Sequence, residues 1–410
     1  MQFNELISHP KILLAIQEMG YVEPTDIQQK AIPKILEGSD IFASAETGTG
    51  KTAAFMLPSL QKILSAPIPP KGSNNRGPLV LVLVPTRELA MQVAAEAIKY
   101  SKHLPHIKTV CIFGGASYSN QHKDLSRPYH ILVATPGRLM DHMQQGRILL
   151  SRIETLILDE ADRMLDMGFI DAVEMIVKAT PKSRQTLLFS ATMEKKVLYL
   201  SNKILTNPVE IAIESTSFKQ ENIIQTLHYV DGLEHKYQLL DHHLKDPNIT
   251  QAIVFTSTKH QADALADKLY ELGHQAAALH GDMSQRERTR TMMELRKERI
   301  RVLVATDVAS RGIDVLTISH VINFDLPACA GDYVHRIGRT GRAGACGTAL
   351  SFVSFKDKHL LKRIEIFTGQ KITTQVIPGL EPKKRSENKR SSDKRPFSNN
   401  KSKRKVWKRF

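Results

Sequence analysis

The sequence predicts an α/β protein: two tandem parallel-sheet domains joined by a flexible linker, followed by a disordered basic tail. Three observations carry that expectation. The chain has 410 residues, too many for one ordinary core. Short apolar runs alternate with helical patterns up to about residue 210 and again from about residue 223, as in parallel sheets covered on both faces. Between the two sets, Ile213-Glu214-Ser215-Thr216-Ser217-Phe218-Lys219 is polar and lacks periodicity. The expected layout is a first domain over 1–212, a linker over 213–219, a second domain over 220–375 and a tail over 376–410.

In the first set, strands are expected at 41–44, 79–84, 108–112, 131–134, 155–158 and 186–189. A helix should start near Gly50 and another after Pro85-Thr86. The stretch 67–78 contains Gly72-Ser73-Asn74-Asn75 and reads as an exposed loop. In the second set, strands are expected at 226–230, 252–256, 275–279, 302–305, 320–323 and 348–353. No short-period repeat is present.

The net charge is +15, and +10 of it falls after residue 380, where thirteen Lys and Arg face three acids. A basic arm on a nearly balanced body reads as a tether for a polyanion. Trp407, the single tryptophan, lies in that arm and could stack on a base. The longest apolar run, 79–84, is too short to span a bilayer, so no membrane partner is expected. Met1-Gln2-Phe3-Asn4-Glu5 lacks a basic-then-apolar export pattern. Cys111, Cys329 and Cys346 are widely spaced, which suits a reducing cytoplasm and offers no metal-ligand spacing.

Chemistry concentrates in three runs. Ala45-Glu46-Thr47-Gly48-Thr49-Gly50-Lys51-Thr52 follows a strand and opens a helix. Glycines there let backbone N–H groups turn inward, and the helix N-terminus favours phosphate. Lys51 is expected on the outer phosphates and the Thr52 hydroxyl on Mg2+. Leu156-Ile157-Leu158-Asp159-Glu160-Ala161-Asp162 is a strand ending in carboxylates. Asp159 is placed to hold Mg2+, partly through water, and Glu160 to orient or deprotonate the attacking water. His335-Arg336-Ile337-Gly338-Arg339-Thr340-Gly341-Arg342 supplies cations for a transferring phosphoryl group from the other domain. Together they describe a nucleoside triphosphatase.

In this order the runs resemble the DEAD-box family of ATP-dependent RNA helicases, over roughly residues 1–375. The resemblance implies two RecA-like domains and ATP with Mg2+ as cofactors. Phe3, Gly20-Tyr21 and Pro24-Thr25-Asp26-Ile27-Gln28 look like the family's adenine-reading element, with Gln28 on the adenine edge and Phe3 stacked on its ring. Pro85-Thr86-Arg87-Glu88-Leu89-Ala90, Gly114-Gly115 and Thr135-Pro136-Gly137-Arg138 look like its RNA-contacting loops. Ser190-Ala191-Thr192 looks like its coupling motif, joined to Asp162, with His335 in the same interdomain network. Val254-Phe255-Thr256, Gln285 with Arg288, and Thr306-Asp307 through Asp314 look like second-domain motifs, with Thr306 on RNA and Asp314 on the ATP ribose. Arg339 and Arg342 are then the arginines aimed at the γ-phosphate. Arg163-Met164-Leu165-Asp166-Met167-Gly168-Phe169 is similar to the bacterial SrmB and RhlE subgroup.

The implied activity is local RNA unwinding, or remodelling of RNA–protein complexes, by ATP-driven domain closure. RNA would be held by its sugar-phosphate backbone with little sequence preference. Pre-ribosomal particles or degradosome components are implied partners, with ribosome assembly or RNA turnover as the setting. An ATP-gated RNA clamp and a DNA helicase are the alternatives.

Overall fold

The computed structural model describes residues 1–45, 48–65, 77–213, 222–307, 317–341 and 346–383. In the first domain β1 (Ile41–Ser44), β2 (Val80–Leu83), β3 (Thr109–Ile112), β4 (Ile131–Ala134), β5 (Thr155–Leu158), β6 (Gln185–Ser190) and β7 (Val209–Ala212) form a seven-stranded sheet in the order β3-β4-β2-β5-β6-β1-β7. In the second, β8 (Ile223–Val230), β9 (Ala252–Phe255), β10 (Ala276–Leu279), β11 (Val302–Ala305), β12 (His320–Asn323), β13 (Gly347–Ser354) and β14 (Thr373–Thr374) follow the order β10-β11-β9-β12-β13-β8-β14. Each strand takes the place of the strand seven before it, so one winding occurs twice. Neighbouring strands of both sheets pair in parallel.

Strand composition explains the layers. Runs such as Val80–Leu83 and Val302–Ala305 are buried throughout, and alternate residues serve opposite faces. Val80 and Val82 join one core with Ile157 and Phe189, while Leu81 and Leu83 join the other with Leu156 and Leu158. The second sheet repeats this, with Ile253 and Leu303 on one face and Val254 and Val302 on the other. Because the strands are parallel, their carboxyl ends share one edge, where ligands bind in open α/β sheets. The phosphate loop follows β1, the acidic run follows β5 and Ser190 closes β6, so topology alone converges them.

Several boundaries differ from expectation. β7 was not foreseen because a short edge strand with one buried residue in four carries no apolar run. Ile213, expected in the linker, donates its N–H to Ser44 O at 2.9 Å and packs on the first core. The rest of the expected linker and most of the expected 67–78 loop lie outside the described residues. β8 begins at Ile223 because its partner β13 pairs with it over the full length. The expected tail start at residue 376 is also corrected. Ile377 and Leu380 pack on the second core, Leu380 O meets His235 Nε2 at 3.0 Å, and Lys383 N–H donates to Asp231 Oδ2 at 2.8 Å. Two apolar side chains and these polar contacts hold the segment where composition alone suggested a tail. Residues 384–410, with Trp407, lie outside the described residues.

Candidate functional site

Lys51 opens the helix Lys51–Ser65, is only 6% exposed, and donates to Ala45 O at 2.9 Å across the phosphate loop. Gly48 and Gly50 have φ of 92° and 91°, a region that favours glycine. Gly50 has a second reason to lack a side chain: a Cβ there would stand 2.5 Å from Gln28 Nε2. Thr25 caps the helix Asp26–Leu36 in a reciprocal box with Gln28. Gln28 Oε1 accepts from Thr25 N–H at 3.0 Å, Gln28 Nε2 donates to Gly50 O at 3.1 Å, and Thr25 Oγ1 donates to Thr49 O at 2.8 Å. Gln28 therefore braces the phosphate loop, and adenine pairing would fall to its second amide hydrogen and remaining lone pairs. Glu46 and Thr47 lie outside the described residues.

Phe3 is corrected. It is 6% exposed in the first core and its ring tilts against Tyr21 at 6.2 Å between centroids, so it plugs the core. Stacking on a base would require it to leave that packing.

Asp159 is 3% exposed and accepts from Glu160 N–H at 3.0 Å. Burial pushes its carboxyl up to about 6, and the Lys51 ammonium offsets only part of that. A buried carboxylate short of positive charge, with the Thr52 hydroxyl at the start of the neighbouring helix, fits a hard divalent cation such as Mg2+. Such an ion would neutralise phosphate charge there. Glu160 adopts φ 52°, ψ 52° at the start of the helix Ala161–Asp166. Two residues on, Asp162 Oδ2 accepts from Thr192 Oγ1 at 3.3 Å. Ser190 Oγ donates to Thr192 O at 2.7 Å and accepts from Thr192 N–H at 3.2 Å. The acidic run and the Ser-Ala-Thr run are thus one hydrogen-bonded unit.

Pro85, Thr86, Arg87, Gly114, Thr135, Gly137 and Arg138 line a cleft of about 390 Å³, completed by Gly281 and Arg288 of the second domain. Thr86 caps the helix Arg87–Tyr100 by accepting from Leu89 N–H at 3.3 Å, which leaves its O–H hydrogen for an acceptor in the cleft. Thr135 precedes the helix Pro136–Gln144, with proline at its first position. Gly115 has φ 82°, and a Cβ on it would collide with the Arg87 guanidinium. Arg138 differs from expectation. It lies over the Tyr118 ring at 3.9 Å and donates to Ala116 O and Gln121 Oε1, each at 3.1 Å, so it is a strut for the Gly114-Gly115 loop. Thr306 follows β11 on the same edge of the second sheet.

Second-domain arginines were read from sequence as cations facing phosphate, but Arg336 is committed internally. It makes paired bonds to Asp307 at 2.6 and 2.8 Å and donates to Asn323 Oδ1 at 3.0 Å. Its helix, Ala330–Ile337, carries half-buried His335 and leads to buried Arg339. Arg342 and Asp314 lie outside the described residues. Lys236 lies in the helix Leu233–Leu244, which follows β8 as the phosphate-loop helix follows β1. It donates to Asp325 Oδ1 and Phe324 O, each at 2.6 Å, so the second domain closes this lysine on its own carboxylate.

Two contacts that sequence reasoning missed join the domains. Arg288 Nε donates to Glu88 Oε1 at 2.8 Å beside the cleft, and Arg163 pairs with Asp332 beside the acidic run. Charge patterns in one sequence show that such residues exist but not which of them meet.

Residues 25–200 match the DEAD/DEAH box helicase family, and residues 235–344 match the helicase conserved C-terminal domain. The ATP-dependent RNA helicase SrmB of Escherichia coli is 44% identical over 94% of this chain and 86% of its own length. The chain belongs to the DEAD-box ATP-dependent RNA helicase family. The ATP-dependent RNA helicase DeaD of Mycobacterium tuberculosis is 45% identical over 92% of this chain, which spans 65% of the length of that relative. Among solved structures, S. cerevisiae Dbp5 bound to RNA and ADP–BeF3 is 32% identical with a TM-score of 0.80, covering 91% of this chain and 95% of its own. That likeness extends over both domains.

Proposed function

We propose that this DEAD-box chain is an RNA-stimulated ATPase that closes its two domains around ATP and one RNA strand, locally separating short duplexes or remodelling RNA–protein complexes. The observation that carries this reading is the cleft with hydroxyl and backbone donors suited to phosphate, lined by both domains and sharing the first domain with the phosphate loop and the bonded Asp162–Thr192 unit. Lys51 would hold the outer phosphates, Thr52 and Asp159 would hold Mg2+, Glu160 would orient the attacking water, and Arg339 would stabilise charge developing on the γ-phosphate. The cleft offers hydroxyl and backbone donors suited to sugar-phosphate, which carry no base information. The three free cysteines fit a cytoplasmic location. Ribosome assembly or RNA turnover, with pre-ribosomal particles or degradosome components as partners, belongs to the same proposal.

ATP turnover measured with mixed-sequence RNA and with DNA of the same sequence tests the reading. RNA should stimulate and DNA should not. Arg339→Ala should lower kcat roughly 10³-fold or more. Glu160→Gln should still bind ATP and form a long-lived RNA complex. Equal stimulation by DNA, or normal turnover in Glu160→Gln, would overturn it.

A further inference from the structure

We infer that Arg163 and Asp332 are positioning residues, a latch through which domain closure sets Glu160. This rests on the helicase reading above. Arg163 lies on the six-residue helix Ala161–Asp166, which starts at Glu160. Glu160 has φ 52°, a left-handed conformation that a non-glycine residue keeps only when its surroundings enforce it. The helix is held on one side by Asp162–Thr192 within its own domain. On the other it is held by Arg163–Asp332, a link from this helix to the second domain.

The pair has the features of a switch. Its side chains are 4% and 18% exposed while the domains meet, so the ion pair is little screened there. Arg163 also has a weaker partner at hand: Asp166 Oδ2 lies 3.7 Å away, one turn along its own helix. Closure can therefore exchange a longer local pair for a closer interdomain one. Asp332 sits on Ala330–Ile337, the helix that Arg336 anchors to Asp307 and that leads directly to Arg339. Fixing Asp332 against Arg163 registers Arg339 and Glu160 on the two sides of the nucleotide.

A charge-exchange cycle in the full chain tests this. RNA-stimulated kcat should fall roughly tenfold or more in Arg163→Glu and in Asp332→Arg, and return to within roughly threefold of the parent in the double exchange. Small-angle scattering with polyuridylate and a non-hydrolysable ATP analogue should show the single variants staying extended and the double variant compacting. Arg163→Gln and Asp332→Asn, checked for unchanged melting, guard against misfolding and should show the same loss. Parental kcat in the single variants, or an exchange that recovers neither kcat nor compaction, would overturn the latch. A parent chain that RNA fails to stimulate would instead sink the helicase reading, while scattering would still decide the latch.

Discussion

Asp159 shows how a buried charge costs stability at one residue. A carboxyl held near 6 instead of its ordinary 3.8 favours the folded state only while protonated, and that advantage is lost as pH rises through about 6. At neutral pH its burial as a carboxylate costs on the order of 2–3 kcal/mol. Asp159→Asn keeps the oxygen that accepts from Glu160 N–H and removes the charge. In metal-free, nucleotide-free buffer at pH 8 its first domain should melt roughly 5–10 °C higher than the parent. The gain should disappear near pH 4, and ATP turnover should be lost. Thermal melts across pH check this; equal melting at pH 8 would show that the buried charge carries no penalty.

At the scale of elements, β8 and the helix Leu233–Leu244 meet through histidines. His228 and His243 face each other Nε2 to Nε2 at 2.9 Å, which leaves room for one shared hydrogen. Burial lowers both, with each other's charge adding to the effect on His243, which is pushed down to about 4. A depressed histidine means that the unfolded chain binds more protons, so stability present above about 6.5 is lost as pH falls toward 4. The second domain should therefore melt earlier at pH 5 than at pH 7. His243→Gln, whose amide can still bond His228, should shrink that acid-induced drop by roughly half. An unchanged drop would place the acid sensitivity elsewhere.

At the scale of the whole molecule, the basic tail begins later than its composition suggests, because residues 377–383 are docked on the second domain. A truncation that tests the tether should therefore remove 384–410 and leave the docked strap intact. Each RNA phosphate released from the tail should reduce the log–log salt slope of RNA affinity by about 0.7. Basal ATP turnover should not change. Filter binding across salt concentrations measures this, and a slope equal to that of the full chain would reject the tether.

The phosphate loop, the acidic run, the cleft loops and most strands were legible in the sequence because each is local. Glycine conformations, apolar alternation and strand-end carboxylates are written within a few residues. The sequence by itself determined the two-domain α/β class, the family resemblance and the residues at the sheet edges. Tertiary structure decided which charges meet: Arg163 with Asp332, Arg288 with Glu88, Arg336 with Asp307. It also turned Phe3 into a core plug and Arg138 into a strut. The reason is physical: an aromatic ring or a guanidinium has the same intrinsic chemistry wherever it occurs, and only the packing around it settles whether it faces a ligand or its own chain.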